Sequence, residues 1–347
     1  IILLGSGETS PNIRKVYDEL FHTLEAPVNV AILETPAGFE PNSDYVAGQV
    51  GAYLEKRLQN HQPQISIIPA RKRDTAFSPD DPALLDPLYG ADVIFMGPGS
   101  PTYAARQLRG SLAWQTLQAC HRLGAALIFA SATTIASSRY ALPVYEIYKV
   151  GEDLHWQDGL DFFGPFGLNL VFVPHWNNRD GGDVLDTSQC YIGRTRYEEL
   201  VALLPDADRA DQTIVGIDEN TALWIEPEHG RCHVRGAGGV RLMRNGEEAR
   251  FGTGVEFPVA ELGPFAIPAA ADLPAQLWRE AAERWNDARR QEAHDPTPDA
   301  TILELLEQRE AARLAREWPA ADRLRAEIES AGWQIKDTPE GPILEPQ

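Results

Sequence analysis

The chain has 347 residues, of which 43% are hydrophobic and 24% charged, a composition typical of a soluble globular protein with a full core. The net charge is −20, from 31 basic and 51 acidic side chains, and such a field disfavours non-specific binding to nucleic acids. No apolar run approaches the length of a membrane span, so an integral membrane protein is not expected.

The first 130 residues alternate between short apolar runs and segments whose apolar residues recur at helical spacing. Such runs predict strands buried on both faces of a parallel sheet. Residues 1–8 are an apolar run that breaks at Gly5 and Gly7, which predicts a strand followed by a tight loop. The other predicted strands are residues 28–33, 65–69, 91–96 and 125–130, and the predicted helices are residues 12–24, 45–58 and 103–119. This alternation indicates an α/β fold with a doubly wound, mostly parallel sheet, whose ligand site lies outside the carboxyl ends of the strands.

After residue 139 the alternation weakens. Another apolar strand is predicted at residues 169–173, and a helix at 196–204. Short β-type runs separated by turn residues then predict antiparallel strands at one edge of the sheet. These runs are residues 213–217, 221–225, 233–236 and 240–243.

The composition changes near the C-terminus. A charged helix is predicted at residues 273–290, a linker with two prolines at 291–299, and two charged amphipathic helices at 302–317 and 320–331. We therefore expect three parts: an α/β domain at 1–265, a helix and linker at 266–299, and a small C-terminal α-helical domain with a short β-like tail at 300–347.

Ser131 follows the predicted strand 125–130 at the point where small residues lead into a helix. A serine on a sharp strand-to-helix turn exposes its hydroxyl, and the N–H of the next residue, Ala132, points at the same place, as in a nucleophile elbow. The same pattern is also typical of a serine that only caps the following helix.

His175 lies in the loop after the predicted strand 169–173, so we expect it at the same edge of the sheet as Ser131. A neutral imidazole there would take the hydroxyl proton, and a carboxylate would hold its tautomer. Glu146, in an unusually aromatic and apolar segment, is the candidate carboxylate. The alternatives are a packing or surface histidine and a solvated glutamate.

Five segments together resemble the cyanophycinase and α-aspartyl dipeptidase family. They are Gly5-Ser-Gly-Glu8, Gly97-Pro-Gly-Ser-Pro-Thr102, Ser131-Ala132, Pro174-His-Trp-Asn177 and Gly216-Ile-Asp-Glu-Asn-Thr-Ala-Leu223. The resemblance covers roughly residues 1–245 and implies a class I glutamine amidotransferase-like fold with flavodoxin-like layering. It also implies a serine exopeptidase-like hydrolase that acts on a small peptide or amide, with a Ser-His-Glu arrangement, and a homodimer, since family members often pair.

The predicted turn at Ser131 departs from the Gly-x-Ser-Ala-Gly pattern of that family, because Phe129 and Thr133 replace both glycines. Glu146 stands where the dipeptidase branch has an aspartate. A catalytically inactive relative, acting as a ligand-binding or RNA-associated module, is therefore the alternative to a hydrolase.

Pro98 has no N–H, so the expected oxyanion donors are Gly99 or Ser100 together with Ala132. Asn177, beside His175 in the loop, completes the expected substrate-binding set.

No cofactor and no metal site are expected from the sequence. The first glycine-rich loop lacks the third glycine of a dinucleotide fingerprint. Asp180 and Asp183 near His175 have no second pair of ligands and indicate a polar loop or lid rather than a metal site. The isolated cysteines argue against a disulfide framework or a cysteine-ligated zinc site and predict a cytoplasmic location. They are Cys120, Cys190 and Cys232.

A second resemblance concerns about 45 residues near the C-terminus. Residues 306–313, 321–325 and 332–341 resemble the C-terminal helical domain of cysteinyl-tRNA synthetases. The two nucleotide-binding signatures of those enzymes are absent from the sequence, so aminoacylation is not expected. Acidic residues alternate with the arginines, as on a solvated helix pair, which disfavours binding of tRNA through these helices.

Overall fold

The computed structural model describes residues 1–205, 211–269, 272–294, 298, 300–338 and 341–346. The strands are β1 (Ile2–Leu4), β2 (Asn29–Leu33), β3 (Gln64–Ile68), β4 (Val93–Met96), β5 (Ala126–Ala130), β6 (Tyr140–Ala141), β7 (Gln157–Asp158), β8 (Asn169–Val173), β9 (Gln212–Ile217), β10 (Thr221–Glu226), β11 (Arg231–Gly236), β12 (Gly239–Arg244), β13 (Glu247–Gly252), β14 (Glu256–Pro258), β15 (Trp333–Thr338) and β16 (Gly341–Pro346). The helices are α1 (Pro11–Phe21), α2 (Ser43–Arg57), α3 (Asp86–Tyr89), α4 (Pro101–Leu108), α5 (Leu112–Leu123), α6 (Ala132–Ala136), α7 (Arg194–Ala202), α8 (Ala275–His294), α9 (Ala300–Leu314) and α10 (Trp318–Ser330).

An eight-stranded sheet with the order β14-β11-β10-β1-β5-β4-β2-β3 forms the centre of the first compact unit, Ile1–Trp285. The five strands from β1 to β3 in this order are parallel, and β10, β11 and β14 extend the sheet in antiparallel fashion beyond β1. The prediction of an α/β fold with a mostly parallel central sheet is confirmed.

Side chains of the parallel strands alternate between two cores, because successive residues of a strand point to opposite faces. Leu3 packs into the core that contains α5, whereas Ile2 and Leu4 pack into the core that contains α1 and α2. Helices thus cover both faces of the sheet, which explains why its inner strands β1, β4 and β5 are apolar throughout.

The helix expected at residues 103–119 is interrupted and forms two helices, α4 and α5. Gly110 adopts a left-handed φ of 67° between them. Ser111 then caps α5, since its Oγ accepts a hydrogen bond from the N–H of Trp114 at 3.1 Å. The glycine and the capping serine together end one helix and begin the next.

Strands β8, β9, β12 and β13 form a second sheet with the order β13-β12-β9-β8, in which β8 and β9 are parallel. The sequence placed residues 169–173, now β8, in the first sheet, and the structure corrects this. The short turn of residues 218–220 joins β9 in the second sheet to β10 in the first. Loops from both sheets can therefore meet at this turn.

The second compact unit is Asn286–Gln347. Helices α9 and α10 pack with the β15–β16 hairpin around Ile302, Ile328, Trp333 and Ile335. The buried guanidinium of Arg309 donates to the Asp337 carboxylate at 3.0 and 3.1 Å. A small C-terminal domain is thus present, with a hairpin where the sequence indicated a β-like tail.

The predicted linker at 291–299 lies partly outside the described residues. Residues 291–294 still belong to α8, and residues 295–297 and 299 are outside the described ranges. Within the described ranges, no helix combines the length and the apolar character needed to cross a bilayer.

Candidate active site

Ser131 lies between β5 and α6 with backbone angles of φ 50° and ψ −101°. Its N–H donates to the carbonyl of Leu4 on the neighbouring strand β1, at 3.1 Å. The side chain makes no capping bond to α6, and its Oγ lies 2.9 Å from Nε2 of His175. These angles lie outside the regions that non-glycine residues usually adopt, and strain of this kind, on the order of 1–3 kcal/mol per residue, recurs at active sites. Because the Oγ meets the imidazole and caps nothing, the hydroxyl faces the histidine rather than the helix.

The two bulky neighbours of this turn are both accommodated. Phe129 is fully buried and meets the Phe162 ring edge-on at 5.4 Å. Thr133 is fully buried, and its Oγ1 donates to the Gly97 carbonyl at 2.9 Å. The serine thus holds its strained conformation without the flanking glycines.

His175 is held beside Ser131 by a hydrogen bond to the loop that follows β1. The strand before it, β8, does not pair with the first sheet. The His175 N–H donates to the carbonyl of Gly5, directly after β1, at 3.1 Å. A Cβ at Gly5 would lie 2.1 Å from the Asp218 carbonyl oxygen, so the loops close only around a glycine. His175 itself has a left-handed φ of 49°.

Glu219 is the carboxylate partner of the His175 ring. Its Oε1 lies 2.8 Å from His175 Nδ1 and accepts a bond from Asn178 Nδ2 at 2.9 Å. Its backbone N–H donates to Asn177 Oδ1 at 2.8 Å. The hydrogen bond to His175 lowers the pKa of the Glu219 carboxyl, and the bond from Asn178 acts in the same direction against the effect of burial.

The structure corrects the expectation that Glu146 orients His175. Glu146 begins a single π-helical turn, Glu146–Val150, and its Oε1 accepts a hydrogen bond from Thr102 Oγ1 at 2.5 Å. Its Oε2 is buried without a hydrogen-bond partner among the described residues. The π-turn directs this carboxylate to the start of α4, whereas the turn between β9 and β10 passes beside the His175 loop.

A sequence signal for Glu219 was available. Residues 216–223, which contain it, are one of the five segments that carry the family resemblance, and residues 218–220 lie between two predicted strands. A carboxylate in a segment that also carries the resemblance is a better candidate than one chosen for its aromatic surroundings.

The expected oxyanion donors are not equivalent. The Ser100 N–H donates to the Pro36 carbonyl at 2.9 Å, and its Oγ accepts from the Tyr103 N–H, so Ser100 serves the loop and α4. Ala132 is the first residue of α6, so its N–H has no acceptor within the helix. Gly99 has a φ of 148°, and a Cβ there would lie 2.0 Å from the Pro36 oxygen. Gly99 and Ala132 are therefore the two candidates that remain.

A cavity of about 350 Å³ opens beside these groups and is lined by Gly99, Ser131, Ala132 and His175. Aromatic rings form much of the rest of its lining, from Tyr145, Tyr148 and Tyr191. Lys149 also lines the cavity, and its Nζ lies 4.4 Å from the centre of the Tyr145 ring. The cavity thus combines a hydroxyl, an imidazole and an ammonium group with apolar surface.

Three consecutive residues beside His175 adopt left-handed backbone angles. Gln189, Cys190 and Tyr191 have φ values of 49°, 58° and 68°. The Cys190 N–H donates to the His175 carbonyl at 3.2 Å, and the Tyr191 ring centre lies 5.6 Å from that of His175. Burial raises the pKa of the Cys190 thiol to about 12, so this cysteine stays protonated near neutral pH and is no alternative nucleophile.

Comparisons with known proteins give similarity to solved structures and two short sequence matches. No family model matches the chain. It is similar to the crystal structure of a peptidase from an acI-B1 Actinobacterium, with 21% identity, 74% of this chain and 95% of that chain covered, and a TM-score of 0.58. A putative peptidase E protein from Listeria monocytogenes has a TM-score of 0.42 at 16% identity, over 70% of this chain and 96% of that chain. The first likeness shows that this α/β fold also occurs in a peptidase.

The sequence matches are to cysteine–tRNA ligases. The protein from Rubrobacter xylanophilus is 56% identical over 43 residues, which are 12% of this chain and 9% of that protein. The protein from Phenylobacterium zucineum is 41% identical over 51 residues, 15% of this chain and 11% of that protein. The chain thus spans only about a tenth of the length of these curated relatives.

Proposed function

We propose that the protein is a serine exopeptidase-like hydrolase that cleaves a peptide or amide bond through Ser131, His175 and Glu219. The observation that carries the proposal is the chain of short contacts from Ser131 Oγ to His175 Nε2, at 2.9 Å, and from His175 Nδ1 to Glu219 Oε1, at 2.8 Å. A nucleophile, a base and a carboxylate in this order form a hydrolytic triad. The fold likeness to a peptidase supports the proposal.

In the proposed reaction, Ser131 Oγ attacks the carbonyl carbon of the substrate while His175 Nε2 takes the hydroxyl proton. Glu219 accepts the Nδ1–H bond and stabilises the imidazolium as it forms. The N–H groups of Ala132 and Gly99 would receive the oxyanion. His175 then returns the proton to the leaving amine, and water releases the acyl group from Ser131 by the same steps.

The size of the cavity and its lysine favour a small substrate with a free carboxylate. Its volume of about 350 Å³ is at the lower end of ligand sites and suits a short peptide or amide. Lys149 is the single ammonium group among the described lining residues, and it would pair with a carboxylate of the substrate. Recognition of a terminal carboxylate is what an exopeptidase acting at the C-terminus of a peptide, or a dipeptidase, uses.

The experiment that tests the proposal is labelling with a fluorophosphonate probe, accompanied by hydrolysis assays on a panel of dipeptides and amides. Ser131→Ala is expected to abolish labelling and to lower hydrolysis by as much as about 10⁶-fold, as for loss of a triad serine. Ser330→Ala, an exposed serine of the second unit, is the matched control and should label like the wild type. A folded wild type that neither labels nor hydrolyses any of the substrates, or labelling that survives Ser131→Ala, would contradict the proposal.

A further inference from the structure

A second cluster of chemically active side chains lies away from Ser131. Asp18 is on α1, His22 directly follows that helix, and His61 ends a 3₁₀ turn, Gln59–His61, after α2. His61 Nε2 lies 2.8 Å from Asp18 Oδ1, and His22 Nδ1 lies 3.7 Å from the same oxygen. One ligand atom from each residue lies within 4.8 Å of the other two.

Two imidazole nitrogens and one carboxylate oxygen are the donors preferred by zinc and its neighbours in the periodic table. With bonds of about 2.0–2.1 Å, the ligand atoms around a tetrahedral ion lie about 3.3 Å apart. His61 Nε2 and Asp18 Oδ1, at 2.8 Å, are near this value, and His22 offers a ring nitrogen within 4.8 Å of both. The His22 side chain is 63% exposed, so its ring can adjust, while the carboxylate of Asp18 is 36% exposed and leaves room for water to complete the coordination shell.

The surroundings hold these donors in place. The His61 backbone is fixed on both sides, because its N–H donates to Leu58 and its carbonyl accepts from Val28. His22 Nδ1 lies 2.6 Å from the Asp18 carbonyl oxygen. An Nδ1–H donated to this carbonyl leaves the lone pair on Nε2, which is the usual arrangement of a metal-ligating histidine.

Electrostatics also favours a cation at this place. The cluster lies at the C-terminal end of α1, where the helix dipole is negative, and the chain carries a net charge of −20. The separation of His61 from the other two residues along the chain hides this cluster from a search for local metal-binding motifs.

We propose that Asp18, His22 and His61 bind a divalent transition-metal ion of the zinc class. The site lies at the amino edge of the parallel strands, since the His61 carbonyl accepts from Val28, just before β2, and β3 begins shortly after His61. Ser131 follows the carboxyl end of β5, at the opposite edge. The ion therefore stabilises the junction of α1 with β2 and β3 and takes no part in chemistry at Ser131.

The test uses the full chain without a histidine tag, treated with chelator and dialysed. Three forms of the protein are compared: wild type, His22→Gln and His155→Gln. Each is titrated with ZnCl₂ by calorimetry and with CoCl₂ by visible absorption. His155 is the matched control, a partly exposed histidine 3.8 Å from Glu152. We expect one equivalent of saturable binding and a rise in melting temperature with Zn²⁺. His22→Gln should weaken metal binding at least about tenfold, because even the loss of a residue that only hydrogen-bonds to a metal ligand has an effect of this size. It should also abolish the rise in melting temperature with Zn²⁺.

His22→Gln is the primary variant because its side chain is exposed and its loss leaves the core intact, whereas His61 is buried. Unchanged affinity in His22→Gln, or no saturable binding in the wild type, would overturn the proposal. Binding that is lost in His175→Gln but kept in His22→Gln would also overturn it, because the ion would then sit at the Ser131 edge.

Discussion

Glu219 and Glu146 both lie next to residues that line the cavity beside Ser131, but they differ in their hydrogen bonds. Glu219 Oε1 receives bonds from His175 and Asn178, and its backbone N–H is held by Asn177. Glu146 receives one bond, from the Thr102 hydroxyl, and its second oxygen is buried without a partner among the described residues. In the structure, the carboxylate that contacts the imidazole is the one whose backbone and side-chain oxygen are held by neighbouring asparagines, whereas the aromatic segment of Glu146 brings its carboxylate to a threonine.

Among the effects that test this contrast, the largest is expected from loss of the Glu219 carboxylate. Glu219→Gln should lower kcat/KM by about 10⁴-fold, the scale found when the carboxylate of a hydrolytic triad becomes an amide, because glutamine no longer fixes the imidazole tautomer. Glu146→Gln keeps an acceptor for Thr102 and should change kcat/KM by less than about tenfold. Steady-state kinetics on the best substrate of the panel measures both values.

Equal losses in the two glutamine variants would contradict this assignment of the glutamates. A loss confined to Glu146→Gln would restore the interpretation based on sequence alone. Circular dichroism of each variant ensures that a fall in kcat/KM reflects the site and not unfolding.

Some of this site could be predicted from sequence because its determinants are local. Ser131 follows an apolar run that forms a strand of the central sheet, and strand ends in an α/β fold converge on one edge. His175 also follows an apolar run, but that strand belongs to the second sheet, and His175 is held at the site by its bond to Gly5 after β1. Glu219 could not be placed in this way, because its position depends on how the turn of residues 218–220 passes from one sheet to the other. The prediction that β8 belongs to the first sheet is wrong for the same reason. The pattern of apolar residues predicts where a strand lies in the chain but not which strand it pairs with.

The next effect concerns the turn that presents Ser131 to the Glu219-anchored histidine. Thr133→Val removes the bond to the Gly97 carbonyl and leaves a buried acceptor unpaired, so we expect the free energy of unfolding to fall by about 1–3 kcal/mol. Fluorophosphonate labelling should also slow, because the serine conformation is strained and depends on its surroundings. Urea denaturation and labelling rates measure the two effects.

Thr253→Val is the matched control for this substitution. Its Oγ1 also donates to a glycine carbonyl, that of Gly236, at 2.9 Å, but at an exposed position where water can replace the bond. The destabilisation in Thr253→Val should stay within about 0.5 kcal/mol. Equal destabilisation in both variants would show that burial of the Thr133 bond is not what fixes the turn.

The smallest effect is a dependence of stability on pH that belongs to Glu219. Its pKa in the folded protein is lowered from the ordinary value of 4.5, mainly by the bond to His175, so ionisation of this carboxyl stabilises the fold. That contribution is fully present above the unfolded pKa and is lost as the pH falls through the lower, folded pKa. The difference in unfolding free energy between wild type and Glu219→Gln should therefore shrink as the pH falls below about 4.5. In a His175→Gln background this pH dependence should largely disappear, because the main cause of the lowered pKa is gone; a slope that persists there would assign it to Asn178 instead.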